Sequence, residues 1–228
     1  MKHTRLFILV VSFFGMVKVW SFDVQHNNLY IVKKALIKYI HSGLYDRDIW
    51  RMQRHGLSML RTAYQNNSSS EKPQQLAVVF DIDETLLSNR KSMQHYGFGG
   101  DQQVFDHMVS AANASVIQPI AELYVWAKQH HMKVYLITGR PNDLRKATIR
   151  NLHKAHLAHW DGLYFWPRHS KLSIQEFKSS KRQDIERGGV KIVLNVGDQM
   201  SDLNGGYAQH ILKLPNPFYT IPANHHRH

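Results

Sequence analysis

Acidic side chains are concentrated directly behind an apolar run. The stretch VVFDIDETLLSN (residues 78–89) begins as a buried strand would and then places Asp81, Asp83 and Glu84 within four positions. A single Asp after a strand is usually a helix cap or a turn former, but only one of two can cap. Two carboxylates this close repel each other unless a cation offsets them, and such oxygen ligands suit Mg²⁺. The stretch therefore predicts a metal ion that in turn holds a phosphate.

Two other apolar runs also end in residues that can do chemistry. The run KVYLIT ends in Thr138, which Gly139 and Arg140 follow, and the run VKIVLNV is followed by Gly197 and Asp198. In an open parallel sheet, ligands bind outside the carboxyl ends of the strands. Taken alone, Asp198 is more simply a cap, but three strands that deliver polar groups to one edge predict a common site.

The elements that must position these residues follow from the hydrophobic spacing. Apolar runs at residues 76–80, 133–138, 162–166, 190–198 and 211–215 alternate with helical stretches at residues 119–131, 142–156 and 174–187. This alternation predicts βαβ units, a parallel sheet and the α/β class. Upstream, residues 28–62 have helical spacing with a second helix from Asp46, and the polar residues 65–75 predict a linker.

The first 21 residues are typical of a secretory signal. Lys2 and Arg5 precede an apolar run at residues 6–17 that is too short to span a bilayer, and Phe22 is the expected first mature residue. An uncleaved anchor remains an alternative, because Lys18 follows the run. The chain has no cysteine, hence no disulfide and no lipobox cysteine for a lipid. We expect a secreted or periplasmic protein without a stable membrane anchor.

The chain carries a formal net charge of +12. A basic surface favours anionic substrates or polyanionic surfaces, although most of this charge is expected on solvated helix faces. Nucleic-acid binding is not predicted, and a polyanion-binding module is an alternative that only the charge supports.

Four segments in order, DIDETLLSN, LITGR, FKSSKR and GDQMSDL, resemble the four motifs of the haloacid dehalogenase (HAD) superfamily. In detail they are similar to its secreted acid phosphatases, the class B/C or subfamily IIIB group that includes plant vegetative storage proteins. The segment KLPNPFY (residues 213–219) is also similar to that group, and the resemblance covers residues 76–222. It implies a Rossmann-like, HAD-type parallel sheet flanked by helices in residues 76–228, with a small cap at about residues 89–118 and an N-terminal helical extension in residues 22–75.

The resemblance implies hydrolysis of phosphomonoesters through an aspartyl-phosphate. Asp81 would be the nucleophile. Asp83 would protonate the leaving alcohol and then activate water, which requires that it starts protonated; acidic pH and the nearby charge of Asp81 favour this. Thr138 would bind the transferring phosphoryl group and Lys178 would neutralise its oxygens. Lys181 is the alternative to Lys178, since both lie in FKSSKR.

The same resemblance implies the remaining site residues. Mg²⁺ would be held by Asp81, Asp198 and the backbone carbonyl of Asp83, while Asp202 would hold Lys178 or a metal-bound water. Gly139 and Arg140 would contact the substrate, although Arg140 could instead hold a loop acid or form a structural ion pair.

The predicted cap is small, which leaves the site open unless another subunit covers it. We therefore expect a homo-oligomer and broad substrate tolerance that extends to nucleoside monophosphates. His95, Tyr96 and Phe98 are the candidates for stacking on an aromatic leaving group. The alternative function is a catalytically weak storage or binding protein on the same fold. The nucleophile position distinguishes the two, and here it holds Asp81.

Overall fold

The computed structural model describes residues 28–221, so the predicted signal segment at residues 1–21 lies outside them. The helices are α1 (Leu29–His41), α2 (Leu44–Ser68), α3 (Arg90–His95), α4 (Gln102–Ser110), α5 (Gln118–Gln129), α6 (Arg145–Lys154), α7 (Ile174–Arg187) and α8 (Met200–Leu203). The strands are β1 (Gln75–Phe80), β2 (Leu87–Ser88), β3 (Ser115–Val116), β4 (Lys133–Pro141), β5 (Gly162–Trp166), β6 (Val190–Gly197) and β7 (His210–Lys213). None of the helices in this range is both long and apolar enough to cross a membrane.

Within the described residues, a five-stranded sheet has the order β5-β4-β1-β6-β7, and every neighbouring pair is parallel. The order reverses direction at β1, which places β4 on one side of it and β6 on the other. This is the switch point at which parallel α/β sheets bind ligands. The predicted α/β class with a helix-flanked parallel sheet is confirmed.

Alternate residues of β1 face two separate apolar layers. Leu76, Val78 and Phe80 belong to the core that α2 and α5 cover, whereas Ala77 and Val79 pack with residues of α7 on the other face. A strand covered on both sides has no polar face, which explains the continuous apolar run in the sequence. Both layers hold β1 rigidly below the acidic residues that follow it.

The helix α2 is longer than the sequence predicts. It begins at Leu44 rather than at Asp46, and it continues to Ser68 through the first residues of the expected linker. The reason is tertiary: Leu60 and Ala63 are buried in the main core, and the side-chain amide of Asn67 bonds the backbone N–H and carbonyl of Gln74 at 2.9 and 3.0 Å. Packing and this clamp hold a polar helix end that composition alone assigns to a loop.

A glycine marks the closest approach of α2 to the rest of the fold. A Cβ on Gly56 would lie 2.8 Å from a side-chain carbon of Leu212 and 2.9 Å from one of Leu123. Glycine normally weakens a helix, but here it allows α2 to contact both β7 and α5.

The residues between β1 and α5 form a small insertion over the sheet edge. The strands β2 and β3 pair antiparallel at its base, and α3 and α4 lie between them in sequence. The amide of Asn151 on α6 bonds both the N–H and the carbonyl of Ala114, at 2.9 and 2.8 Å. This contact fastens the C-terminal end of the insertion, just before β3, to α6.

The carboxylate of Asp161, just before β5, is bonded to the first residues of β4. Asp161 accepts hydrogen bonds from the ammonium groups of Lys128 and Lys133 at 2.8 and 2.9 Å and from the N–H of Val134 at 2.8 Å. Burial alone would raise the pKa of Asp161, but these donors lower it below its ordinary value. The ion pairs therefore stabilise the fold above the unfolded-state pKa, and this stabilisation is lost as the pH falls through the lower folded-state pKa.

We expect Asp161→Asn to lower the unfolding free energy at pH 7 by about 1 kcal/mol and Tm by about 2–4 °C, because it loses both charged contacts. The difference from the wild type should shrink below about pH 4, where the carboxylate itself is protonated. Thermal unfolding across pH measures this. Asp184→Asn, which removes an exposed pair with Lys181, is the control and should leave Tm nearly unchanged. Equal shifts for the two variants would contradict the assignment.

Candidate active site

Asp81 is the first residue after β1, and its backbone N–H donates to the carbonyl of Val196 on β6 at 2.9 Å. The chain then turns sharply: Glu84 has a φ of 51°, and the N–H groups of Leu86 and Leu87 both donate to the carbonyl of Ile82. This turn keeps the acids that follow β1 at the sheet edge. Because β4 and β6 flank β1 in the parallel sheet, the residues that follow these three strands lie at the same edge, as the sequence predicts.

Lys178 lies between two carboxylates of the site. Its Nζ donates to Asp81 at 2.5 Å and to Asp202 at 2.7 Å, and the residue is 2% exposed. Burial alone would lower the pKa of Lys178, but the charges of Asp202 and Asp81 raise it above its usual value. Lys181, the alternative in the same motif, pairs with Asp184 on the outer side of α7. Of the two lysines, Lys178 is the one in the site.

The position of Lys178 depends on where α7 begins. Ser173 and Glu176 form a capping box, in which each residue's side chain bonds the other's backbone N–H. The helix therefore begins at Ile174 and presents Lys178 towards the sheet edge. The sequence predicts the same bounds for this helix, 174–187.

Asp198 follows β6 and is surrounded by neutral donors. One of its oxygens accepts from the Thr85 hydroxyl at 3.2 Å, and the other accepts from the side-chain amides of Gln199 and Asn216, both at 2.6 Å. Burial and the charge of Asp202 raise the pKa of Asp198 to about 7, against the effect of the two amides. Asp198 thus has no cationic side chain among these hydrogen-bond partners.

Asp83 is held differently, by a buried arginine. Arg140 donates through Nε and Nη2 to the two oxygens of Asp83 at 2.9 and 2.7 Å, and Asn89 donates at 2.6 Å. Burial alone would raise the pKa of Asp83, but the charge and hydrogen bonds of Arg140 lower it. The sequence predicts that acidic pH and the charge of Asp81 favour a protonated Asp83, whereas the structure adds Arg140, whose charge and hydrogen bonds favour the carboxylate.

Arg140 and Thr138 lie behind Asp83. Arg140 is 1% exposed, and its remaining Nη1 donates to Thr148 at 3.1 Å. The Thr138 hydroxyl accepts from the backbone N–H of Arg140, also at 3.1 Å. Of the segment from Thr138 to Arg140, Gly139 is the residue that lines the open cavity. The guanidinium is therefore directed at a loop acid, one of the alternatives that the sequence leaves open.

The site as a whole carries more buried negative than positive charge. Among the described residues it contains the buried acids Asp81, Asp83, Glu84, Asp198 and Asp202. The cations paired with their carboxylates are Lys178 and Arg140, and the buried Arg182 donates to the backbone carbonyl of Asp202. Burial raises the pKa of Asp81, and it raises the pKa of Glu84 to about 7; neighbouring carboxylates add to both shifts. A divalent cation would relieve this excess.

A group of carboxylates has the geometry to hold such a cation. In the described part of the chain, oxygens of Asp81, Asp198 and Asp202 lie within 4.8 Å of one another, and all three residues are buried. Hard oxygen ligands of this kind fit a divalent metal such as Mg²⁺. The sequence predicts that Asp202 holds Lys178 or a metal-bound water, and in the structure it does accept from Lys178 at 2.7 Å. Its carboxylate also lies in the cluster with Asp81 and Asp198. The carboxylate of Asp83 points to Arg140, which leaves its backbone carbonyl for the predicted metal role.

A cavity of about 520 Å³ opens above these acids. Its upper wall is apolar and comes from the cap, from α7 and from the chain after β7, with Met93, Phe98, Met108, Ile174, Phe218 and Ile221 as members. Phe98 stacks on Phe218 with ring centroids 6.1 Å apart and planes 1° apart. His95 and Tyr96 contact each other edge to face and are not among the residues that line this cavity.

Sequence reasoning missed Gln199, Asn216 and Phe218. Each contacts the acid cluster or the cavity. The sequence did carry a signal for two of them, because Asn216 and Phe218 lie in the segment KLPNPFY, which resembles the same family as the four motifs. A resemblance gives no contact, however, so their positions needed the structure.

The chain is similar in sequence to a known family of phosphatases. The family model described as HAD superfamily, subfamily IIIB (Acid phosphatase) matches residues 12–222. Acid phosphatase 1 of Solanum lycopersicum is 36% identical over 149 residues, 63% of this chain and 58% of that protein. Vegetative storage protein 1 of Arabidopsis thaliana is 30% identical over 149 residues, 64% of this chain and 55% of that protein. The chain thus aligns with less than two thirds of the length of these relatives.

A solved structure supports the fold. The class C acid phosphatase from Bacillus anthracis has a TM-score of 0.65 and 21% sequence identity, over 83% of this chain and 86% of that one. At this identity the similarity establishes the arrangement of helices and strands.

We expect Lys178→Met to lower the unfolding free energy by about 3 kcal/mol, since it leaves Asp81 and Asp202 buried without their shared cation. Tm should fall by roughly 6–12 °C in the presence of a chelator at pH 8. Lys181→Met is the matched control on the same helix, and its exposed pair should contribute little. If the two variants unfold at the same temperature, Lys178 does not hold the cluster together.

Proposed function

Since the chain belongs to the acid phosphatase family of HAD subfamily IIIB, we propose that it is a Mg²⁺-dependent acid phosphatase that hydrolyses phosphomonoesters through an aspartyl-phosphate. The observation that supports this most is the single buried cluster of Asp81, Lys178, Asp198 and Asp202 at the switch point of the sheet, below an open cavity. A nucleophile, a cation and metal ligands are thereby within reach of one phosphate.

Asp81 is the proposed nucleophile. Its carboxylate forms the new bond to phosphorus while the bond between phosphorus and the alcohol oxygen breaks. A bound Mg²⁺ would neutralise charge on the phosphate. Asp81, Asp198 and the backbone carbonyl of Asp83 would hold the ion, with Asp202 as the further carboxylate of the cluster. The Lys178 ammonium keeps the Asp81 carboxylate in place and offsets charge on the phosphoryl oxygens.

Asp83 is the proposed acid and base. It must carry a proton when the substrate binds, and an acidic pH supplies this proton against the effect of Arg140. Asp83 gives the proton to the leaving alcohol and then takes one from the water that attacks phosphorus, while the bond between phosphorus and Asp81 breaks, so that inorganic phosphate and the free Asp81 carboxylate result. Arg140 aligns Asp83 through two parallel hydrogen bonds, and we propose that it is a positioning residue without substrate contact. The motif pattern of the family, rather than a cavity contact, supports Thr138 as a hydroxyl donor to the phosphoryl group. Gly139 contributes its backbone beside the cavity.

We propose that the substrates are varied small phosphomonoesters, including nucleoside monophosphates. The cavity offers an apolar wall rather than a set of groups matched to one alcohol, and its aromatic members Phe98 and Phe218 suit a flat leaving group. A kcat/KM for one small metabolite that exceeds those of all common phosphomonoesters by orders of magnitude would contradict this proposal.

Secretion and self-association are further parts of the proposal. The charged and apolar pattern of residues 1–21 supports a cleaved signal, and N-terminal sequencing of the exported protein should then begin at Phe22. A small cap supports a homo-oligomer in which a second copy helps to cover the cavity, which light scattering would detect.

The storage-protein alternative has support from the relatives, one of which is named vegetative storage protein 1. A storage role does not require catalysis, whereas this chain retains an acid at the nucleophile position together with Lys178 and the carboxylate cluster. A turnover measurement separates the two functions.

We expect the wild type to hydrolyse a chromogenic phosphomonoester, and Asp81→Asn to lower kcat by at least about 10³-fold, because the amide is no nucleophile. A chelator should abolish the wild-type activity, and added Mg²⁺ should restore it. Asp184→Asn is the control, an exposed acid on α7 with no contact to the cluster, and should keep the wild-type rate. Activity that survives both the chelator and the loss of Asp81 would defeat the mechanism.

A further inference from the structure

The chain after β7 crosses the sheet edge directly over the acid cluster. We call residues 214–221 the strap. The strap is attached to β6 at its start, where the N–H of Leu214 donates to the carbonyl of Gly197 at 2.9 Å. It contains most of the segment KLPNPFY, of which the proposed function uses Phe218 in the cavity wall but not Asn216. Its contacts with Asp198 indicate a role.

The side chain of Asn216 is fixed at both ends. Its carbonyl oxygen accepts from the N–H groups of Phe218 and Tyr219, at 2.8 and 3.3 Å. The amide nitrogen must therefore face the other way, where it donates to Asp198 at 2.6 Å. The turn of the strap thus determines which group of Asn216 meets the carboxylate.

Gln199 connects the strap to the same carboxylate a second time. Its amide nitrogen donates to Asp198 at 2.6 Å and to the carbonyl of Tyr219 at 3.3 Å, and its oxygen accepts from the N–H of Ile221 at 3.0 Å. Its backbone N–H donates to Asp202 at 2.8 Å. The strap, Asp198 and Asp202 therefore form one hydrogen-bonded unit.

We propose that Asn216 is a positioning residue of the divalent-metal site and that the strap sets the orientation of the Asp198 carboxylate. The inference rests on the metal site of the proposed function. Two amides on one oxygen of Asp198 restrict the rotation of the carboxylate, and the other oxygen accepts only from the Thr85 hydroxyl among the described residues. The carboxylate is thereby held within the cluster that Asp81 and Asp202 complete. A neutral amide stabilises the Asp198 carboxylate without adding a positive charge that would repel a metal ion. An ammonium such as that of Lys178, placed beside Asp198, would add such a charge. Neighbours that orient metal ligands in this way commonly change metal affinity about 10–100-fold when they are removed.

A simpler role for Asn216 is to hold the strap to the protein. Two substitutions separate the roles. In Asn216→Ser, the hydroxyl can still accept a hydrogen bond from an N–H two residues on, but it is too short to replace the amide donor to Asp198. Asn216→Ala loses both contacts. Asn67→Ala is the matched control, because the Asn67 amide likewise bonds backbone groups, those of Gln74, far from the cluster.

The test measures metal binding on the full chain without substrate. After a chelator is removed, Tm is followed against Mg²⁺ concentration, and free Mn²⁺ is titrated by electron paramagnetic resonance. We expect Asn216→Ser and Asn216→Ala to weaken the affinity for both ions about tenfold or more. Asn67→Ala should lower the metal-free Tm and keep the wild-type metal affinity.

Asn216 variants whose metal affinity stays within about twofold of the wild type would overturn the inference, and so would a wild type that binds neither ion. A loss of Tm that is equal with and without metal assigns Asn216 to holding the strap and also rejects it. These outcomes are distinct from failure of the proposed function. A wild type that binds Mg²⁺ but hydrolyses no phosphomonoester defeats the function and leaves the inference standing.

Discussion

Buried negative charge at the carboxyl end of the sheet is the constraint on which the rest of the structure depends. Each of the acids there loses hydration, and each is close to another acid, so folding without compensation would be strongly unfavourable. The protein compensates the acids with different chemistry. Lys178 bridges Asp81 and Asp202, Arg140 binds Asp83, and Asp198 receives hydrogen bonds from neutral groups only. Burial and the neighbouring carboxylates still raise the pKa of Asp81 and of Asp198, and a bound cation would offset this effect.

The fold supplies these compensating groups from separate elements. Lys178 depends on the register of α7, Arg140 on the end of β4, and Asn216 on the chain that follows β7. Because β1 packs against an apolar layer on each face, the sheet edge does not yield to repulsion among the acids. The helix α2 belongs to this support: its Tyr45 packs against Phe218 of the strap with ring centroids 5.6 Å apart. The N-terminal helices therefore take part in holding the site, although they contribute none of the cluster's carboxylates.

Local patterns predicted most of the elements and most of the acids. The run before Asp81 and the bounds of α7 follow from hydrophobic spacing, which is a property of short segments. The family resemblance favoured Lys178 over Lys181, and the structure places Lys178 in the site. The end of α2 does not, because its last turns are polar and are held by a clamp from Asn67 to Gln74. The protonation state of Asp83 could not be predicted from short segments either. The sequence shows Asp81 two residues away, but only the fold brings Arg140, 57 positions later, into contact with both oxygens of Asp83.

The strap joins the apolar part of the site to the charged part within three residues. Phe218 stacks on Phe98 of the cap in the cavity wall, and Asn216, two positions earlier, donates to Asp198. A shift of the cap that moved Phe98 would act on Phe218 and, through the turn that Asn216 closes, on the Asp198 carboxylate. The apolar wall of the cavity and the acids that would hold the metal are therefore mechanically coupled through the strap. Such coupling needs no long pathway, since the two contacts share a single turn of the backbone.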